Sequence, residues 1–159
     1  MSCGSRPEVW TAALLMALLV RPAAAQNAPP PGWHETQLWM VAVTSSPAAA
    51  GVGLGFAHRD GQRSRVGAAI AGGLADGGRA AGRLEVSYHF LLDPYRRAGL
   101  AIYGGAGLAV TAIRGDRVRP WLQMALGAET APASPHSWFV EAGFGGGARI
   151  ATGWRWRRR

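Results

Sequence analysis

Lysine is missing from the sequence, cysteine occurs once, and no apolar run is long enough to cross a bilayer as a helix. With no lysine, every basic side chain is a guanidinium; alongside abundant Ala, Gly and Pro, this reads as coding bias rather than as selection for arginine chemistry. The single cysteine, Cys3, excludes an internal disulfide and stands ahead of the first apolar run, the wrong place for a lipidated thiol. Arg and Gly interrupt every later apolar run, which removes helical membrane anchors from consideration. Acidic residues are also scarce, giving a net charge of +8, and part of the excess lies in the final "RWRRR" at 155–159. A basic surface suits an anionic partner, either nucleic acid or the phosphates of lipid and lipopolysaccharide.

The first residues favour the second partner. Arg6 precedes the uncharged run Trp10 to Val20, and "RPAAAQ" follows with an Ala-x-Ala end at Ala23 to Ala25. This order of charge, short apolar segment and small residues predicts a secretory signal peptide over 1–25, cleaved before Gln26. Residues 26–32 carry three consecutive prolines and read as an extended leader. Export argues against nucleic acid as a partner.

From Trp33 to Trp156 one theme repeats: about ten residues of alternating character, then a cluster of turn formers. The breaks are "TSSPAA" at 44–49, "RDGQRS" at 59–64, "ADGG" at 75–78, "LDPYRRAG" at 92–99, "RGDR" at 114–117, "APASPHS" at 131–137 and "GGGA" at 145–148. They delimit eight strands, with residues 157–159 left as a basic tail. The Ala-rich "VGAAIAGGLADGG" competes as a helix on propensity, but its glycines and the lack of an N-cap favour strand. In every strand one face collects large apolar residues, such as Leu84, Val86, Tyr88 and Phe90. The other face mixes glycine and alanine with Arg83, Glu85, His89, Arg119, Gln123, Glu129, Glu141 and Arg149.

A water-soluble barrel turns its charges outward and its bulk inward. Here that would lay the glycine-rich backbone of several strands against water. Inverting the barrel puts the apolar face on hydrocarbon and folds the charged arms into the space left by Gly and Ala. Trp33, Phe90, Tyr95, Trp138, Trp154 and Trp156 all fall at strand ends on one rim, as a membrane-interface girdle would. The fold class expected is therefore all-β: a closed, antiparallel, up-and-down transmembrane barrel of eight strands. A periplasmic barrel holding an apolar ligand in its lumen is the alternative.

The signal peptide, the amphipathic strands, the cysteine-free mature region and the aromatic-rich last strand resemble the small outer-membrane barrels of the OmpA and OmpX type. That resemblance implies a monomer, termini on the periplasmic side, insertion by the outer-membrane assembly machinery, and outer connections "TSSPAA", "ADGG", "RGDR" and "GGGA". Those connections are too short to carry the recognition surfaces that long outer loops provide. Members of the family usually end on an aromatic residue, whereas this chain continues past Trp156 with "RRR".

Lipid A deacylases, a third reading, place His-x-Ser on the outside of such a barrel; here Glu85, Ser87 and His89 give Ser-x-His on the inner face, and His136 adjoins Ser137. "RGD" at 114–116 is explained by a tight Gly-containing hairpin turn. Glycine clusters that echo nucleotide loops open no helix, and the histidines lack ligand spacing, so no cofactor and no metal are expected. The inner charges are expected to pair as a salt-bridged, closed lumen, Glu85 with Arg119 toward the outer end, Glu141 with Arg149 in the middle to upper region and Glu129 with Arg155 toward the periplasm.

Overall fold

A computed structural model describes residues 32–60 and 63–158. The expected signal peptide and most of the Pro-rich leader lie outside the described residues. Eight strands follow in order: β1 Trp33–Thr44, β2 Ala49–Arg59, β3 Ser64–Ala75, β4 Arg79–Leu91, β5 Leu100–Ile113, β6 Arg119–Thr130, β7 His136–Phe144 and β8 Ala148–Arg158. Each pairs antiparallel with its neighbours in sequence, and β1 pairs with β8 from His34↔Arg158 to Thr44↔Ala148, closing the barrel. Closure satisfies the backbone groups that an open sheet would leave bare at its edges.

The turn chemistry fixes the strand ends. Between β3 and β4 a single 3-10 turn, Asp76–Gly78, places Gly77 and Gly78 at φ of 73°, a left-handed conformation that glycine adopts without steric cost. Asp76 ties this turn to the β1–β2 turn: Ala48 N–H donates to its Oδ2 at 2.8 Å, and its own N–H donates to Ala48 O at 2.9 Å. The Ala-rich segment that competes as a helix is strand β3, because its alternation lets Ala69 and Ala71 face in while Ile70 and Leu74 face out.

The rim that carries the start of β1 and the end of β8 is called the near rim, and the opposite one the far rim. Strand β8 runs to Arg158, so Arg157, expected in a solvated tail, belongs to the barrel and is buried inside it. Side-chain bulk is distributed as the alternation requires. Leu54, Phe56, Ile70, Leu122, Met124 and Phe144 project outward, Leu122 at 83% exposure, while Glu129 and Arg155 inside are at 0% and 1%.

Candidate functional site

The lumen contains the chemistry of the molecule. From the near rim to past mid-height six guanidiniums, Arg59, Arg65, Arg83, Arg149, Arg155 and Arg157, meet four carboxylates, Glu35, Glu85, Glu129 and Glu141, in one continuous network with two positive charges in excess. Glu129 is its hub: Arg155 lies at 2.6 Å, Arg65 at 2.8 Å, Arg157 at 3.1 Å and Arg59 at 3.2 Å. Glu35 takes Arg65 and Arg157, each at 2.8 Å, and Arg59 at 3.3 Å. Deeper in, Arg155 reaches Glu141 at 3.1 Å, Arg149 bridges Glu141 and Glu85 at 2.9 Å each, and Arg83 meets Glu85 at 2.6 Å.

Neutral groups complete the layer. Tyr103 Oη donates to Glu141 at 2.7 Å, and Gln123 Nε2 donates to Glu85 at 3.1 Å. Arg155 Cζ lies over Phe139, 3.8 Å from the ring centroid, and Arg149 Cζ sits 5.4 Å from the Trp39 ring centroid, so the aromatic faces carry part of the cation contact. The near rim is closed by turn carbonyls. Arg59 donates to Pro132 O at 2.9 Å and to Pro94 O at 3.3 Å, and Arg157 donates to Ser134 O at 3.0 Å. Among the described residues Arg65 Nη1, Trp39 Nε1 and His89 Nδ1 find no hydrogen-bond partner; their residues border a cavity of about 20 Å³, enough for a single water.

Small residues make room for these arms. A side chain at Gly55 would meet Gln37, at Gly105 the His89 ring, at Gly127 the Tyr103 ring and at Gly153 the Phe139 ring. The far half is different. There Val41, Val43, Ala71, Ala81, Ile113 and Trp121 wall an open cup of about 270 Å³, with Arg83 at its base and Asp116, Arg117 and Arg119 at its mouth. The Arg117 backbone N–H donates to Asp116 Oδ1 at 2.7 Å and holds this exposed carboxyl below its ordinary pKa, assisted by Arg119 at 3.2 Å.

Seven sequence-predicted lumen residues lie inside the barrel: Arg83, Glu85, His89, Gln123, Glu129, Glu141 and Arg149. The eighth, Arg119, requires a correction. It has the inward phase but opens β6 at the far rim, where it pairs with Asp116 and stays exposed, outside the buried network. Trp33 is a second correction: it shares the phase of Glu35, so it turns inward and is buried at the near rim instead of joining an outer girdle. Phe90, Tyr95, Trp138, Trp154 and Trp156 are exposed. Glu35, Arg59, Arg65, Arg157, Tyr103 and Phe139 were missed, although phase alone places each on the inner face.

Of the catalytic candidates, Ser137 points inward and accepts from Arg157 Nη2 at 2.8 Å, while the adjacent His136 points outward, so the two cannot act as a pair. His89 packs edge-on against Tyr103, 5.3 Å between centroids, and Glu85 is engaged by Arg83, Arg149 and Gln123. "RGD" forms part of the β5–β6 turn, with Gly115 at φ of 82°. Neither protein-family models nor curated proteins give a match to the chain.

Proposed function

We propose that the protein is a non-enzymatic outer-membrane β-barrel with a salt-bridged, closed lumen and a structural role in the envelope. The observation that carries this reading is the inverted polarity: large apolar side chains cover the outside of every strand, and the ion network fills the inside from the near rim to past mid-height. A water-soluble barrel of this kind would expose an apolar surface far beyond what monomeric proteins tolerate, which speaks against the periplasmic alternative.

The dimensions agree. Outward apolar residues of β5 run from Leu100 to Val110, about 33 Å of strand at ~3.3 Å per residue, or about 25 Å along the axis at a tilt of ~40°. That is the height of the apolar band in outer-membrane barrels, about 25 Å. Among the described residues no helix is long and apolar enough to cross a membrane, which leaves crossing by strands unaffected. Exposed arginines mark both rims, Arg63, Arg96, Arg97 and Arg158 near and Arg114, Arg117 and Arg119 far, where lipid and lipopolysaccharide phosphates would be their counter-charges. The resemblance to OmpA- and OmpX-type barrels adds a monomeric state and the assembly machinery as partners.

Fractionation of cells producing the chain tests location. The protein should stay in the outer-membrane fraction, require detergent for extraction, and show a heat-dependent gel mobility typical of an intact barrel. Recovery in periplasmic extract without detergent would overturn the reading. In planar bilayers the sealed near half should give no steady conductance; stepwise ion current would contradict the closed lumen.

A further inference from the structure

We propose that the far half of the lumen is a binding cup for one single-chain anionic amphiphile, its tail against the barrel wall and its carboxylate at the mouth. The lumen is divided between two designs. At Gly55, Gly105, Gly127 and Gly153 a side chain of Gln37, His89, Tyr103 or Phe139 stands against the place of the absent one. At Gly51 and Gly73, in the cup, the nearest atoms are backbone of the adjoining strand, and no side chain is among them. The long arms Arg83 of β4 and Arg149 and Arg155 of β8 are held by Glu85, Glu129 and Glu141, so they do not swing up to fill the space.

The wall is mostly apolar. Val41 and Val43 of β1, Ala71 of β3, Ala81 of β4, Ile113 of β5 and Trp121 of β6 give an apolar surface of branched and aromatic groups around about 270 Å³. Cavities of this size, apolar with a few convergent polar groups, are the form small-molecule sites take. At the base, Arg83 is already committed to Glu85, Thr111 and Gln123. The floor is therefore not where a new anion would find its partner.

At the mouth the balance is different. Arg117 and Arg119 stand there against the single carboxylate Asp116, whose ion-pair partner is Arg119. Among the described residues the Arg117 guanidinium has no ion-pair partner, and a carboxylate of the ligand supplies one. A cationic mouth over an apolar cup selects charge and tail together. It favours a fatty-acid anion over a neutral alcohol of equal length, and over a short carboxylate with no tail. The inference goes beyond the envelope role and rests on the barrel interior, whichever solvent meets the outer face.

The test uses the folded chain in nanodiscs of zwitterionic lipid, with Ala, Ile and Val methyl groups labelled for NMR; incorporation into the discs is scored first and bears on the membrane reading alone. Titration with decanoate should shift the Ala71, Ala81 and Ile113 methyls to a saturating end point. The outward Ile70 and Ile102 should follow only the linear drift of partition into the lipid. Decanol should bind about tenfold more weakly, and the double variant Arg117→Gln/Arg119→Gln should weaken decanoate by about the same factor while leaving decanol unchanged. Ala81→Phe and Ala49→Phe, each filling the cup, should abolish saturation while keeping heat-dependent gel mobility. Saturable shifts confined to outward methyls, unchanged binding in both filled variants, or decanol binding as tightly as decanoate would each overturn the proposal.

Discussion

Replacing Glu129 by alanine removes the one carboxylate that four buried guanidiniums share. Arg59, Arg65, Arg155 and Arg157 lie within 3.2 Å of it, and its side chain is wholly excluded from solvent. Each retains one other carboxylate: Arg59, Arg65 and Arg157 keep Glu35, and Arg155 keeps Glu141. No charge is left entirely alone, yet three guanidiniums then crowd onto Glu35 and the excess positive charge of the lumen rises by one. Breaking a buried pair costs about 3–5 kcal/mol, and remaining partners offset part of the added repulsion, so the loss should fall within that range. With a urea slope of about 2 kcal/mol per M, the unfolding midpoint in lipid vesicles should fall by roughly 2 M. Asp93→Ala, which breaks the exposed pair with Arg96, is the control and should cost no more than about 1 kcal/mol. A Glu129→Ala midpoint as close to the parent as that of Asp93→Ala would refute the claim that the lumen network holds the barrel together.

Three further outcomes follow from the same geometry. Ile70→Arg on the outer face should destabilise the barrel in vesicles by about 2–4 kcal/mol, measured by the same urea titration; a neutral effect would mean that Ile70 meets water. Brominated lipid should quench fluorescence from Trp138, Trp154 and Trp156 but not from Trp33 or Trp39; single-tryptophan chains retaining each residue would show it, and strong quenching at Trp33 would reverse its assignment to the lumen. Gly127→Val drives branched bulk into the Tyr103 ring, which Glu141 and Arg155 hold in place, and should cost about 1–3 kcal/mol in thermal or urea unfolding. The outward Gly72→Ala, with open space around the new methyl, should leave stability unchanged, and equal losses at both positions would contradict the packing described.

Strand boundaries and faces were legible because two independent signals coincide. Turn formers such as "RGDR" and "GGGA" interrupt the chain where the alternation also breaks, and the phase of Leu84, Val86 and Tyr88 determines that of Arg83, Glu85 and His89. Errors arose where a positional argument outweighed phase. Trp33 sits at a strand end, which suggested a girdle, but its two-residue spacing from Glu35 turns it inward. Arg59 counted as part of a turn and Arg157 as part of a tail, although both continue the inward phase of their strands. Arg119 has the inward phase, yet a strand that begins there puts the side chain at the mouth instead of in the network.

The full partner set could not be read from the sequence for a physical reason. Glu129 joins Arg59, Arg65, Arg155 and Arg157 from three other strands, and their heights relative to it depend on the stagger with which β1 meets β8. The cup was hidden for a related reason, since glycine and alanine leave a hollow only where no arm from across the barrel fills it.

The central claim is that the apolar exterior faces acyl chains, and a nitroxide at mid-strand on the outer face tests it most directly. With Cys3 replaced by serine, Leu54→Cys and Arg117→Cys give one labelling position each, on the outer wall and on the far rim. After purification from the outer-membrane fraction into lipid vesicles, the Leu54 label should be relaxed strongly by oxygen and weakly by a water-soluble nickel chelate, and the Arg117 label the reverse. Equal access of the nickel chelate to both labels would contradict the account.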